Sequence, residues 1–222
     1  MYYIFFAVSL IITISAQIYV NSSYNKYSKV KTNSGETGEK VARKILDTAG
    51  LDDVAVLETT GILSDHYDPR HKAVFLSSGN FHGSSVGAAS VAAHECGHAI
   101  QHQQKYVFMS IRAALVPFVN ISSYAGYIAI VLGCILGSFN LIWLGILAEC
   151  VILIFQLITL PVEFNASHRA LKILETDNYL TKKELSGGKT VLRAAALTYV
   201  ASVATTLIEI LRLILLYGRR ND

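Results

Sequence analysis

The segment "SVAAHECGHAIQHQQ", residues 90–104, carries three histidines at a spacing of four residues: His94, His98 and His102. Residues four apart lie one turn apart on the same face of an α-helix, so His94 and His98 can both direct a ring nitrogen at one metal ion. Glu95 follows the first histidine and can act as general base toward water activated by that ion. This HExxH pattern predicts a zinc site on a helix. A helix with solvated histidines and no metal is the alternative.

Two histidines leave such a site incomplete. A hydrolytic zinc site has three protein ligands and one open position. His102 lies eight residues after His94, which is about 12 Å along a helix, so it cannot bind the same ion. The longer HExxHxxGxxH pattern is absent, because Gln101 and Gln104 stand where it requires Gly and His. The third ligand must come from elsewhere in the chain. The candidates are His66, His71, His82, His168 and the acidic residues.

The composition indicates a membrane protein. Hydrophobic residues make up 52% of the 222 residues and charged residues 16%, whereas soluble domains carry about 25% charged residues. Four apolar runs are long enough to cross a bilayer: residues 2–20, 115–136, 141–160 and 194–217. A cleaved signal peptide is the alternative for the first run, although no Lys or Arg precedes Lys26. A helix at the membrane interface is the alternative for the last run, which contains Glu209 and Arg212 and is followed by Arg219 and Arg220.

The region between the first two runs has the pattern of a small α+β domain. An amphipathic helix is predicted over residues 37–51, and short strands in "DDVAVLETTG" (52–61) and "HKAVFLSSG" (71–79), with a loop or turn between them. The HExxH helix follows over residues 84–104. We therefore predict a mainly α membrane protein with three to four transmembrane helices and a small α+β zincin-like catalytic domain.

These patterns divide the chain into five parts. They are an N-terminal transmembrane helix (1–20), a zincin-like domain with a short sheet and the HExxH helix (21–114), a transmembrane hairpin (115–160), a third-ligand helix with cytoplasmic helices (161–193), and a C-terminal apolar helix, taken as transmembrane (194–222).

The distribution of positive charge predicts the topology. Lys and Arg cluster near the membrane ends of residues 21–116 and throughout residues 161–193, and the turn at residues 137–140 has none. The basic side should therefore be cytoplasmic in a multi-pass protein. The hairpin then returns Glu163, in "PVEFNASHRAL" (161–171), to the membrane face that carries His94. Glu163 is our expected third ligand. The alternative is an acid in the first turn of a helix, where it faces the helix dipole.

A family resemblance agrees with this site. "HECGH", a membrane hairpin and "EFNAS" resemble the integral-membrane gluzincins, such as HtpX and the CAAX prenyl proteases. The closer resemblance is to the YugP-like neutral zinc metallopeptidases of bacterial membranes, and it extends through "SDHYDPRHKAVFLSS", "LPVEFNASHRAL" and "VLRAAALTYVAS". It implies that His94, His98 and Glu163 bind zinc and that Glu95 is the base, in a bacterial cell membrane. The Asp that gluzincins place four residues after the carboxylate ligand, where it orients a histidine, is Ser167 here. Ser167 or Asn165 could substitute for it more weakly.

Other residues could assist the reaction or bind substrate. Candidates for stabilising the developing carbonyl charge are His66, His82, Arg169, Arg193 and Tyr199, and the sequence does not choose among them. Residues 72–78 could form an edge strand that pairs with an extended peptide, or a strand that simply completes the sheet.

The sequence thus predicts a membrane-embedded zinc endopeptidase that cleaves membrane-proximal proteins or peptides. A non-catalytic membrane protein is the alternative, with a structural zinc and a fourth ligand such as His66 or His82. Expected partners are Zn²⁺, the lipid bilayer and a peptide or protein substrate. Nucleic acid is excluded, because the net charge is only +3 and no basic stripe is interleaved with aromatic residues. The sequence names no oligomeric state and no accessory partner.

Overall fold

The structure is a computed structural model that describes residues 2–218, so Arg219 and Arg220 lie outside the described residues. Its elements are α1 (Tyr2–Tyr27), α2 (Gly38–Thr48), β1 (Ala55–Thr59), β2 (His66–Asp68), β3 (Ala73–Ser77), α3 (Ser78–Phe81), α4 (Val86–Gln103), α5 (Val107–Leu136), α6 (Phe139–Thr176) and α7 (Lys182–Tyr217). Among these residues four helices are long and apolar enough to cross a membrane: α1, α5, α6 and α7. The predicted fold class, a mainly α membrane protein with a small α+β domain, is confirmed.

The chain forms two compact units, which we call the membrane unit and the sheet unit. Of the described residues, the membrane unit contains 2–17, 110–161 and 197–218, and the sheet unit contains 18–109 and 162–196. The sheet unit thus gathers most of the predicted zincin-like domain together with most of the predicted third-ligand segment.

The membrane unit is built from apolar helices packed through small residues. A Cβ added at Gly126 would lie 2.6 Å from the Cβ of Ala148, so α5 and α6 approach too closely there for a larger side chain. Ile146 on α6 and Leu213 on α7 belong to one buried cluster. Most of the large apolar side chains of these helices point outward, as expected of surfaces that face lipid.

The sheet of the sheet unit has three strands in the order β1-β3-β2. β3 pairs parallel with β1 and antiparallel with β2. The suggestion that residues 72–78 form an edge strand is therefore wrong, because β3 is the central strand and completes the sheet. The reason is β2, which pairs with the other side of β3. It forms within the "DHYDPRH" segment, for which the sequence predicts a loop or turn because the segment lacks the alternating pattern of a strand.

α4 is the central helix of the sheet unit. It begins after Ser85, whose side chain accepts a hydrogen bond from the backbone N–H of Ala88 and so caps the helix. Nearly all of its residues are buried, because α2 packs on one side and β3 and α3 pack on others. The buried face of α2, with Val41, Ile45 and Leu46, forms the core with it, as the amphipathic pattern predicts.

α1 and α6 are longer than the apolar runs they contain. α1 continues to Tyr27, seven residues beyond the predicted end of the span, where the hydroxyl of Tyr24 donates to Asn80 at 2.9 Å. α6 runs through Pro161 without a break, so the prediction of a separate helix starting there is wrong. A proline removes one backbone hydrogen bond, and burial of Val162, Ala166, Ala170 and Leu174 along one face holds the helix together beyond it.

Candidate metal centre

Three side chains of the sheet unit converge from two helices. His94 and His98 project from α4 and Glu163 from α6, and one ligand atom of each lies within 4.8 Å of the others. Among residues 2–218 this is the only group of three or more His, Cys, Asp or Glu residues that meets this criterion. The two helices therefore bring together the three residues that the sequence nominated as ligands.

The separations of these atoms fit a tetrahedral zinc site. Glu163 Oε2 lies 3.3 Å from His94 Nε2 and 3.6 Å from His98 Nε2. Two ligand atoms bound to one tetrahedral zinc ion are separated by about 3.4 Å, given Zn–N and Zn–O bonds of about 2.1 Å. The two imidazole rings are nearly perpendicular, at 82°, so both nitrogens can face one point. Two imidazoles and a carboxylate are a ligand set typical of catalytic zinc and leave one position open.

A close contact between the helices produces this geometry. Gly97 lies between the two histidines, and a Cβ on it would come within 2.9 Å of the carbonyl oxygen of Ala166. Ala166 lies between Glu163 and Ser167 on α6. The absence of a side chain at Gly97 therefore lets the ligand-bearing faces of α4 and α6 meet.

Each histidine has a partner on its second ring nitrogen. His94 Nδ1 lies 3.3 Å from Ser167 Oγ, so Ser167 occupies the orienting position that resemblance assigned to an Asp. His98 Nδ1 lies 3.0 Å from Gln101 Oε1. These contacts leave the Nε2 atoms of both histidines directed at Glu163, as expected where outer residues orient metal ligands.

Sequence reasoning missed Gln101 and used it only to exclude a longer zinc motif. Its spacing was informative, because it follows His98 by three residues and so lies beside it on the helix. Asn165, which we nominated as a partner of the histidines, instead accepts a hydrogen bond from Gln101 at 3.0 Å.

Glu95 is held in a buried environment beside the two histidines. Only 7% of Glu95, 8% of His98 and 3% of Glu163 is exposed. Burial raises the pKa of Glu95 above its ordinary value, while the positive charges of the histidines act in the opposite direction. For His98, burial lowers the pKa but hydrogen bonding to Glu163 and the charge of Glu95 outweigh it, so the net pKa is raised.

The remaining candidates are placed as follows. His66 stacks on Phe75, and its Nδ1 lies 2.8 Å from the carbonyl oxygen of Ser64. His82 Nε2 lies 3.2 Å from a carboxylate oxygen of Glu58. Neither histidine belongs to the three-residue group, so a fourth ligand from His66 or His82 has no support among the described residues.

Three further candidates lie on two helices: Arg169 on α6, and Arg193 and Tyr199 on α7. Arg169 donates to Asn165 at 2.7 Å and to Gln104 at 2.8 Å. Arg193 is exposed. Tyr199 belongs to the membrane unit. The suggestion that any of them stabilises the reacting carbonyl stays a prediction.

The chain is similar to known proteins over most of its length. Residues 2–218 match the model of a family described as "putative neutral zinc metallopeptidase". The chain is 46% identical over 207 residues to a protein of Bacillus subtilis (strain 168) described as "putative membrane protease YugP", and the match covers 93% of this chain and 92% of that protein. No solved structure matches.

Proposed function

Since this chain belongs to the family described as "putative neutral zinc metallopeptidase", we propose that it is a membrane-embedded zinc endopeptidase. The observation that carries the proposal is the convergence of His94, His98 and Glu163 next to Glu95. Three ligands with an adjacent base are the requirements of zinc-dependent peptide hydrolysis.

His94 and His98 would hold zinc through their Nε2 atoms, and Glu163 through a carboxylate oxygen. Zinc bound there supplies Lewis-acid chemistry, because it lowers the pKa of water and polarises the carbonyl of a peptide bond. The carboxylate of Glu163 would also offset part of the charge of a divalent ion in this buried site.

Glu95 is the proposed general base. It accepts a proton from the attacking water and then donates it to the nitrogen of the departing amine, so the C–N bond breaks and the water oxygen remains on the new carboxyl group. Burial raises the pKa of Glu95, which makes its carboxylate a stronger base toward that proton. The sheet unit keeps it largely out of water, which strengthens its electrostatic interactions.

We propose that the substrates are proteins or peptides close to the bilayer. The support is the continuity of α6, which carries both an apolar run and, three residues after its end, Glu163. The proposal accordingly places the protein in the bacterial cell membrane, where its apolar helices contact the lipid bilayer.

We further propose that the sheet unit faces the cytoplasm, because the basic residues cluster on its side of the apolar runs. The test is labelling of single cysteines in a variant that lacks the native ones. An impermeant maleimide should label Ser138→Cys in intact cells and Ser34→Cys only after permeabilisation. The reverse pattern would contradict the assignment.

The hydrolytic function is tested with the full-length protein in lipid vesicles and a fluorogenic peptide carrying an acyl anchor. We expect cleavage that stops when a chelator removes the metal, returns with stoichiometric zinc and is blocked by a peptide hydroxamate. A structural zinc would be retained without cleavage, and that result would contradict the proposal.

A further inference from the structure

A buried amide side chain connects the two helices behind the candidate metal centre. Gln101 is fully buried on α4. Its Oε1 lies 3.0 Å from His98 Nδ1, and its Nε2 lies 2.8 Å from the carbonyl oxygen of Val162 and 3.0 Å from Asn165 Oδ1. The amide therefore has an acceptor position facing the histidine and a donor position facing α6.

The direction of these hydrogen bonds is set by Arg169. Its Nε lies 2.7 Å from Asn165 Oδ1, and a guanidinium group can only donate. The atom of Asn165 at this junction must therefore be its oxygen. That oxygen and the carbonyl of Val162 both require a donor from Gln101, so the NH₂ group of Gln101 faces α6.

It follows that the oxygen of Gln101 faces His98. A carbonyl oxygen can only accept, so Nδ1 of His98 must carry a proton. A neutral imidazole protonated at Nδ1 has its lone pair on Nε2. In His98 this is the nitrogen that lies 3.6 Å from Glu163 Oε2 and that would bind zinc.

We propose that Arg169, Asn165 and Gln101 form a directional hydrogen-bond relay that fixes the tautomer and the ring orientation of His98. The proposal rests on the proposed function, because it concerns how the same site binds its metal. The three residues are positioning residues, since they act on the metal only through His98.

The other histidine is positioned differently. The partner of His94 Nδ1 is the hydroxyl of Ser167, at 3.3 Å, and a hydroxyl can either donate or accept. That contact alone does not choose a tautomer of His94. The relay therefore makes His98 the ligand whose Nδ1 proton is fixed by its hydrogen-bond partners.

The relay is also anchored at its outer end. Arg169 Nη1 donates to Gln104 Oε1 at 2.8 Å, next to the end of α4. The guanidinium group thus bonds to both helices, so rotation of Arg169 away from Asn165 would break two hydrogen bonds. Because two hydrogen bonds hold the guanidinium group of Arg169 in place, it can fix the direction of the hydrogen bonds between Asn165 and Gln101 and between Gln101 and His98.

The experiment compares full-length variants in detergent micelles by two measurements. One is the zinc dissociation constant, from competition with a chromophoric chelator. The other is the ¹⁵N NMR spectrum of the zinc-loaded protein labelled at histidine, in which the ring signals of His98 report its tautomer. The variants are Gln101→Met, Arg169→Met and Asn165→Asp, and Gln103→Met is the control for losing an exposed amide from the same helix.

The relay predicts a specific order of effects. Gln101→Met should raise the zinc dissociation constant by about 10- to 100-fold, and Arg169→Met by about tenfold with additional His98 signals. Asn165→Asp should stay within about threefold of wild type with one Nδ1-protonated form, because a carboxylate accepts from both neighbours as the amide oxygen does. Gln103→Met should match wild type.

Two results would overturn the relay. One is that Arg169→Met and Gln101→Met bind zinc as Gln103→Met does and keep a single His98 signal. The other is that Asn165→Asp loses as much affinity as Gln101→Met while remaining folded, as judged by its thermal unfolding. Absence of zinc binding by the wild-type protein would instead contradict the proposed function, so the two failures are distinguishable.

Discussion

Glu163 Oε2 lies 3.3 Å from His94 Nε2, although 69 positions of sequence separate the two residues. The chain between them leaves α4, forms α5 and returns along α6. A carboxylate placed beside two histidines at this distance matches the spacing of ligands around one zinc ion.

Replacing Glu163 by Ala should abolish tight zinc binding. We expect the dissociation constant for zinc to rise by more than about 100-fold, because loss of a ligand should cost more than loss of a residue that only orients one. Glu175→Ala, an exposed acid on the same helix, is the matched control and should bind like wild type. Equal zinc affinity in the two variants would show that the third ligand is another residue.

The contact at Gly97 should be sensitive to a single methyl group. Gly97→Ala places a Cβ 2.9 Å from the Ala166 carbonyl, and overpacking of this kind costs about 1–3 kcal/mol of unfolding free energy. We expect lower thermal stability and weaker zinc binding, since α4 and α6 must separate. Gly79→Ala is the control, because the nearest atom to its added Cβ would be 3.8 Å away. It should change neither the thermal stability nor the zinc affinity. A Gly97→Ala protein with normal affinity would mean that the helices tolerate separation without disturbing the ligands.

Ser167 offers a test of how His94 is oriented. Its hydroxyl lies 3.3 Å from His94 Nδ1, and a carboxylate there would accept a charge-assisted hydrogen bond from the same nitrogen. Ser167→Asp should therefore tighten zinc binding, and Ser167→Ala should weaken it by about tenfold at most. The measurement is chelator competition on the purified protein. If Ser167→Asp and Ser167→Ala change the zinc affinity in the same way, the contact between Ser167 and His94 does not orient the His94 ring.

Glu209 and Arg212 form an ion pair within the apolar stretch of α7. Removing one partner leaves an uncompensated charge in a helix that is long and apolar enough to cross a membrane, where such a charge is costly. Glu209→Leu should therefore destabilise the protein more than the double replacement Glu209→Leu/Arg212→Leu does, as measured by thermal unfolding in lipid vesicles. A double variant less stable than Glu209→Leu would mean that Arg212 has another stabilising role.

Local sequence signals were sufficient to predict most of the site. The HExxH spacing predicts two ligands and a base on one helix, because helical geometry alone brings residues four apart together. The apolar runs predict the four long helices, because the length of a run can be compared with the thickness of a bilayer. The hairpin predicts that Glu163 returns to the membrane face that carries His94.

The continuity of α6, the formation of β2 and the contact between Gln101 and Asn165 depend on tertiary contacts, which local sequence patterns do not predict. Pro161 signals a helix boundary, yet α6 continues because the residues after it are buried along one face. β2 forms through pairing with β3, although its own three residues have little strand character. Gln101 and Asn165 meet only because Gly97 lets two helices approach.

The most direct test of the central claim is the turnover of Glu95→Gln compared with its zinc content. The substitution keeps the size of the side chain and leaves all three ligands in place, but an amide cannot accept the proton of the attacking water. We predict one zinc ion per chain, as in the wild-type protein, with peptide cleavage reduced by at least about 100-fold. Cleavage at the wild-type rate by zinc-loaded Glu95→Gln would contradict the proposed role of Glu95.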